Sequence, residues 1–325
     1  MKILVTGAAG FIGAKVVETL LAEGKEVLGV DNLNDYYDVR LKEWRLKRLE
    51  NPNFEFVKMD IENLEEVELL FKDKQVEAVI NLAARAGVRH SLVDPFVYMR
   101  TNAMGTLNIL EMMKKYGVRK MVLASTSSLY AGQEMPFLET LPVNSPISPY
   151  AASKKSAEGM AYTYHFLYGL DISIVRYFTV YGPAGRPDMV IFKFINKIVE
   201  ERPITVNGGG EQTRDFTYVD DIAVGTIAAL KPMGYEIINL GGGLESFSLN
   251  YLIKKIEEYS GKKAIIEHGE FFKADLKATL ANGNKAKEIL NWQPTVKFDE
   301  GLKNCVEWYM ENRDWAADLK CRDGE

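Results

Sequence analysis

Cysteine is nearly missing from this chain of 325 residues: there are two, Cys305 and Cys321, both close to the C-terminal end. So few, with no cysteine or histidine close by in sequence, argue against a disulfide-stapled scaffold and a zinc site, and predict a reduced, cytoplasmic setting. The three histidines, His90, His165 and His268, are dispersed, so they are expected in core or surface roles and not as metal ligands. Neither sign of charge prevails: 40 Lys and Arg against 45 Asp and Glu leave a net charge of −5. That argues against general binding to nucleic acid or to an anionic membrane, so any anionic ligand must be held by local cations. No apolar run is long enough to span a bilayer, and the first residues lack the basic-then-apolar pattern of a signal peptide. Internal repeats and low-complexity stretches are absent as well.

What the chain does contain is a regular alternation. Short apolar runs, beginning with Ile3-Leu4-Val5 and recurring at Glu26–Val30, Phe54–Lys58, Ala78–Leu82, Met121–Ser125 and Ile172–Tyr177, alternate with helical patterns at Phe11–Glu23, Leu64–Phe71, Pro95–Tyr116 and Pro149–Tyr168. Continuous apolar strands alternating with helices predict an α/β fold, a doubly wound parallel sheet of Rossmann type. After about Thr179 the rhythm weakens, and prolines and Gly208-Gly209-Gly210 punctuate shorter elements. The expected organisation is a cofactor domain over 1–178 with a return strand near 236–241, a smaller mixed lobe over 179–315, and a polar tail over 316–325.

The first strand runs into Thr6-Gly7-Ala8-Ala9-Gly10-Phe11-Ile12-Gly13. A glycine-rich turn between a strand and a helix suits a dinucleotide pyrophosphate: Gly7 for the tight turn, Gly10 for phosphate approach, Gly13 for helix packing, and the helix N-terminus for the negative charge. Asp31 ends the second strand roughly twenty residues on, where a carboxylate binds ribose hydroxyls and repels a 2′-phosphate, so NAD is expected over NADP. Asn32 beside it, Asp60-Ile61 after the third strand and Leu82-Ala83-Ala84 after the fourth complete the expected cofactor set.

Tyr150 and Lys154 are four residues apart, which on a helix puts both on one face. A neighbouring ammonium favours the phenolate, so a tuned Tyr150 can take a proton from a substrate hydroxyl while NAD+ is reduced. The hydroxyl cluster Ser125-Thr126-Ser127-Ser128 ends the fifth strand, where ligands bind in such sheets.

These motifs, together with Arg176-Tyr177-Phe178 and Arg214-Asp215-Phe216-Thr217-Tyr218-Val219-Asp220-Asp221, resemble the extended short-chain dehydrogenase/reductase family of nucleotide-sugar enzymes over roughly residues 1 to 310. Within it, Asn34-Asp35-Tyr36-Tyr37-Asp38, Ala83-Ala84-Arg85-Ala86-Gly87-Val88-Arg89 and Gly185-Arg186-Pro187-Asp188-Met189 are similar to the UDP-glucuronate 4-epimerases. The resemblance implies Tyr150 as base, Lys154 as its support and ribose ligand, and Thr126 bonded to the reacting oxygen. It implies Ser127, Ser128 and Thr179 against a substrate carboxylate, and Arg186 is an attractive counterion, because a guanidinium grips a carboxylate with two bonds. Arg214 would hold the diphosphate, and Arg89 and Asp275 join the expected substrate set. Relatives that dehydrate or decarboxylate carry acidic residues where Ser127 and Ser128 stand.

The expected activity is therefore NAD-dependent 4-epimerisation of UDP-glucuronate to UDP-galacturonate through a transient 4-keto sugar. UDP-glucose or UDP-N-acetylglucosamine as substrate is the alternative, and a non-catalytic NAD sensor the more distant one, against which the retained Tyr–Lys pair argues. The resemblance also implies a homodimer joined through the helices at Pro95 and Pro149.

Overall fold

The computed structural model describes residues 2–242, 245–270 and 276–320. Its first half is a strict alternation: β1 (Lys2–Thr6), α1 (Phe11–Ala22), β2 (Glu26–Asp31), α2 (Val39–Lys47), β3 (Phe54–Lys58), α3 (Leu64–Asp73), β4 (Ala78–Asn81), α4 (Pro95–Tyr98), α5 (Gly105–Tyr116), β5 (Lys120–Thr126), α6 (Pro149–Tyr168) and β6 (Asp171–Tyr177). The second half holds β7 (Thr179–Tyr181), α7 (Val190–Val199), β8 (Ile204–Asn207), β9 (Thr213–Arg214), β10 (Phe216–Tyr218), α8 (Val219–Ala228), β11 (Tyr235–Leu240), β12 (Phe247–Ser248), α9 (Leu249–Ser260), β13 (Ile266–Gly269), α10 (Asn284–Leu290), α11 (Phe298–Glu311) and α12 (Arg313–Ala316).

Seven strands form one sheet in the order β11-β6-β5-β4-β1-β2-β3, parallel throughout. Alternate residues of each strand feed opposite faces. Ile3 and Val5 pack with Val16, Val17 and Ile222 on one side, and Leu4 packs with Ile109, Leu110 and Met113 on the other. The chain winds outward through β1, β2 and β3, then returns to place β4 on the other side of β1. This reversal leaves a crevice at the carboxyl ends of β1 and β4, where ligands bind in open α/β sheets.

The local signals act as their chemistry requires. Ser148 caps α6 by accepting from the Ala151 N–H, Pro149 opens the helix, and Gly169 ends it at φ 65°. The stretch from Pro95 to Tyr116, expected as one helix, is helical throughout but widens to a π-helical turn at Met99–Met104. That turn lets Asn102 grip the backbone of Arg85, accepting from its N–H at 2.8 Å and donating to its carbonyl at 2.9 Å.

A third core belongs to the lobe and joins α7, α9 and α11 to Tyr36, Tyr37 and Leu41 from the segment after β2. In return, α8 and Trp292 from the second half pack on the sheet. Residues from Ala316, read from their polarity as a tail, are packed as far as Lys320. Ala316 and Leu319 are buried, and the Asp38 N–H donates to the Lys320 carbonyl at 2.9 Å. Among the described residues no helix is long and apolar enough to cross a membrane.

Candidate active site

A single cleft of about 1040 Å³ follows the carboxyl ends of the strands and runs out between the sheet and the lobe. At its floor the glycine loop folds back on itself. Gly7 adopts φ +71°, and a Cβ there would stand 2.9 Å from Ala83 N. A Cβ on Gly13 would fall 2.0 Å from the Gly7 carbonyl oxygen. Gly13 is therefore required by the loop's own closure, and not only by helix–sheet packing as its place in the pattern suggested. Gly10 precedes α1 without a side-chain cap, and the first residues of that helix, Phe11 and Ile12, line the cleft wall. Across the cleft, Thr6 Oγ1 accepts from the N–H groups of both Leu82 and Ala83 at 3.1 Å, holding small residues and bare backbone beside the loop.

The ends of β2 and β3 carry the other expected cofactor groups. Asp31 accepts from the Leu33 N–H at 2.8 Å and from the buried Lys42 ammonium at 3.3 Å. Asn32 donates to Asp60 at 2.7 Å, and Ile61 and Ala84 complete this wall. A glycine cradle that no side chain can enter, an open helix N-terminus and a carboxylate at the end of β2 fit a dinucleotide.

Tyr150 and Lys154 project from the start of α6 into the middle of the cleft. The Lys154 ammonium donates to the Ala124 carbonyl at 2.9 Å. Burial pulls its pKa down to about 8, against the opposing charge of Glu158. Burial likewise pushes the Tyr150 phenol up, while the Thr126 hydroxyl and the charge of Arg186 favour its anion. Within the protein alone the Lys154 ammonium is held by the Ala124 carbonyl near the end of β5, and Thr126 and Arg186 are the groups that favour the Tyr150 anion.

Thr126, Ser127, Ser128 and Thr179 line the cleft near this pair. The Thr126 hydroxyl accepts from the Ser128 N–H at 3.1 Å, turning the chain at the end of β5. Arg186 is drawn in from the lobe. Its Nε and Nη2 bond Asp188, Nη2 also donates to the Ala86 carbonyl at 3.2 Å, and its guanidinium lies 5.4 Å from the Tyr36 ring. Arg89 stands exposed on the rim. Arg214 is not among the described residues of this wall; it lies on β9, its Nη1 donating to the Thr213 carbonyl at 2.9 Å. Asp275 lies outside the described residues.

Several participants carry no signal in their spacing. Asp188 shares the Arg186 loop, and Lys42 reaches Asp31 from α2. Arg45 ties the glycine loop to the lobe, donating to the Ala9 carbonyl at 3.1 Å and to the Ala184 carbonyl at 2.7 Å. His90, expected to be unremarkable, packs edge-on to Tyr36 and bonds the Tyr98 hydroxyl through Nδ1 at 3.2 Å, and the Tyr98 ring stands 6.0 Å from that of Tyr150.

The model of the NAD dependent epimerase/dehydratase family matches residues 3–241. The chain belongs to that family. Among relatives, it is 60% identical to a UDP-glucuronate 4-epimerase of Thermodesulfobacterium geofontis over 98% of both chains. It is 37% identical to a probable UDP-glucuronate 4-epimerase of Rhizobium meliloti, over 96% of this chain and 98% of that one. The solved UDP-glucuronic acid 4-epimerase of Bacillus cereus, in complex with UDP-glucuronic acid and NAD, superposes with a TM-score of 0.90 at 38% identity, covering 96% of this chain and 100% of that one. The UDP-glucose 4-epimerase of Thermotoga maritima, with UDP-glucose, gives 0.87 at 34%, with the same coverage. Membership of this epimerase family agrees with the glycine cradle and the α/β sheet read from the sequence, and makes the enzyme NAD-dependent.

Proposed function

We propose that this epimerase interconverts UDP-glucuronate and UDP-galacturonate by oxidising and re-reducing C4 of the sugar. The observation that carries the reading is the place of Arg186: a guanidinium on the wall of the cleft that holds Tyr150 and is also lined by Thr126, Ser127, Ser128 and Thr179. That set is a carboxylate receptor next to a proton acceptor.

When bound, NAD supplies the oxidant that takes hydride from C4 and returns it to the opposite face. Tyr150 takes the proton from the C4 hydroxyl and gives it back on the return, with Thr126 bonded to the reacting oxygen. Lys154 supplies positive charge beside the phenol and a donor for the ribose. The glycine loop and the N-terminus of α1 hold the pyrophosphate, and Asp31 holds the adenosine ribose. Arg214 serves the diphosphate, Arg89 and Asp275 belong to the same substrate set, and the nucleotide half stays anchored while the ring turns over.

The oxidised uronate is a β-keto acid, which loses CO2 when its carboxylate stands perpendicular to the carbonyl plane. Neutral hydroxyls at Ser127, Ser128 and Thr179, with Arg186, bind the carboxylate without adding an acid or base that promotes side chemistry.

One observation favours a neutral UDP-hexose as second reading: the Nε–Nη2 edge of Arg186 already holds the Asp188 carboxylate. The deciding experiment incubates the protein with UDP-glucuronate and, separately, UDP-glucose, and separates the products by chromatography. UDP-galacturonate is the expected product; CO2 with a UDP-pentose, or turnover of UDP-glucose alone, overturns the reading. A homodimer in the cytoplasm belongs to the same proposal, paired through the exposed apolar residues Phe96, Met104 and Phe166 of the helices that begin at Pro95 and Pro149. Mass measurement in solution tests the pairing.

A further inference from the structure

We propose that Glu158 is a positioning residue of this site: joined to Arg176 inside the fold, it fixes the carboxyl end of β5 against α6 and faces Lys154 with a negative charge one helical turn away. The proposal rests on the roles given above to Tyr150 and Lys154. Glu158 and Arg176 are 2% and 1% exposed. Arg176 Nε and Nη2 donate to the two Glu158 oxygens at 2.9 and 2.8 Å, and the Ser125 hydroxyl donates to the same carboxylate at 2.7 Å. Ser125 lies between the two residues through which β5 meets the reacting groups: the carbonyl of Ala124 accepts from Lys154, and the hydroxyl of Thr126 acts on Tyr150.

The lock continues across the sheet. Arg176 Nη1 donates to the Tyr130 hydroxyl at 2.8 Å, and that hydroxyl donates to Asn239 on β11 at 2.7 Å. A buried ion pair is a weak source of stability, because desolvation offsets most of the attraction, and an apolar pair fills such a space as well. Its value here lies in what it carries. Burial disfavours the Lys154 ammonium, and the charge of Glu158 opposes that.

The other charged and titratable groups around the pair are engaged elsewhere or distinct in effect. Lys155 on α6 approaches Glu158 at 3.7 Å, and Tyr235 on β11 faces both Glu158 and Arg176. On α5, Glu111 is bound by Lys114 and Tyr164; on the π-helical turn, Arg100 pairs with Glu62; His90 and Tyr98 bond each other. Arg186 acts on Tyr150 and is neutralised by Asp188.

The test uses Glu158→Gln, Arg176→Met and the double variant as NAD-loaded protein. Lys154 is titrated directly by NMR of the lysine ε-carbons, assigned with Lys154→Met, and the alkaline limb of kcat for UDP-glucuronate is followed in parallel. The expected result is a Lys154 midpoint lowered by about one pH unit, a tenfold change in its proton equilibrium, in Glu158→Gln. It rises in Arg176→Met, and in the double variant it stays below the wild-type value, because Glu158 is the charge that acts on Lys154; the core of that variant holds no unpaired charge, so it reports even where a single variant misfolds. An unmoved midpoint in all three, or a shift of the same sign in both single variants, overturns the proposal. Midpoints that move as expected in a protein that leaves UDP-glucuronate unchanged uphold it and refute the substrate reading alone.

Discussion

Arg186 and Asp188 are joined by two hydrogen bonds, Nε to Oδ1 at 3.0 Å and Nη2 to Oδ2 at 2.5 Å, on the wall of the cleft that holds Tyr150. The pair presets the guanidinium and places a competing carboxylate beside it. Arg186→Leu is therefore expected to raise KM for UDP-glucuronate by about 10–100-fold, the worth of a charge-assisted contact of roughly 1.5–3 kcal/mol. Asp188→Asn keeps the shape, removes the competing charge and should lower that KM several-fold. Steady-state kinetics on UDP-glucose supply the control. Equal changes on both substrates would mean that Arg186 does not read the carboxylate.

Replacing Tyr150 by Phe removes the proton acceptor and leaves the ring. A loss in kcat of about 10²–10⁴ is expected, with the NAD content of the purified protein unchanged. Burial pushes the Tyr150 phenol above its ordinary value, and the Thr126 hydroxyl and the charge of Arg186 oppose it. The phenolate fraction therefore grows as pH rises, so the wild-type rate should climb with pH on its acid side and the climb should vanish in the Phe variant. A pH–rate profile that is the same in both would refute the assignment.

Asp31 and Lys42 form a buried ion pair at the end of β2, their side chains 3.3 Å apart. If the adenosine ribose lies here as proposed, the carboxylate disfavours a 2′-phosphate and also engages the Lys42 ammonium. Asp31→Ala should weaken NAD tenfold or more and strengthen NADP, because Lys42 is left to pair with the phosphate. Fluorescence titration with the two dinucleotides measures the switch, and weaker binding of both would show that Lys42 does not reach the phosphate.

The Lys154 pKa falls from its ordinary value of 10.5 to about 8 on folding. Between those values the unfolded chain binds more protons than the folded one, so this group's contribution to stability rises with pH through that window. Below about pH 8 the cost of burying the ammonium is fully present. Lys154→Met should accordingly be inactive yet more stable at pH 7, by about 1–3 kcal/mol after the lost bond to the Ala124 carbonyl, with the gain shrinking as pH approaches 10.5. Thermal melts of both proteins at pH 7 and pH 10 test the sign. A variant less stable than wild type at pH 7 would show that Lys154 is not held against a desolvation cost.

The parallel sheet was legible because each of its strands is a compact apolar run, such as Ile3-Leu4-Val5, bounded by a turn signal, and because Ser148-Pro149 and Gly169 mark both ends of α6 in a few residues. Helix α2 was missed, since it buries the charged residues Lys42 and Arg45 and shows little apolar face. Helix α7 was missed because its isoleucines, valines and phenylalanines read as readily as a strand. In the candidate site, the residues legible in the sequence are those with local context: glycines after a strand, a carboxylate at a strand end, Tyr and Lys one turn apart.

Sequence alone determined the glycine turn between β1 and α1 and the shared helix face of Tyr150 and Lys154, because glycine spacing and helical periodicity are short-range constraints carried by neighbouring residues. The charged partners of the candidate site groups came only with the tertiary structure: Asp188 for Arg186, Lys42 for Asp31, and Glu158 with Arg176 behind Lys154. A pKa is fixed by burial and by whichever charges folding brings within a few ångströms, and β5, α6 and β6 meet only once the sheet is assembled.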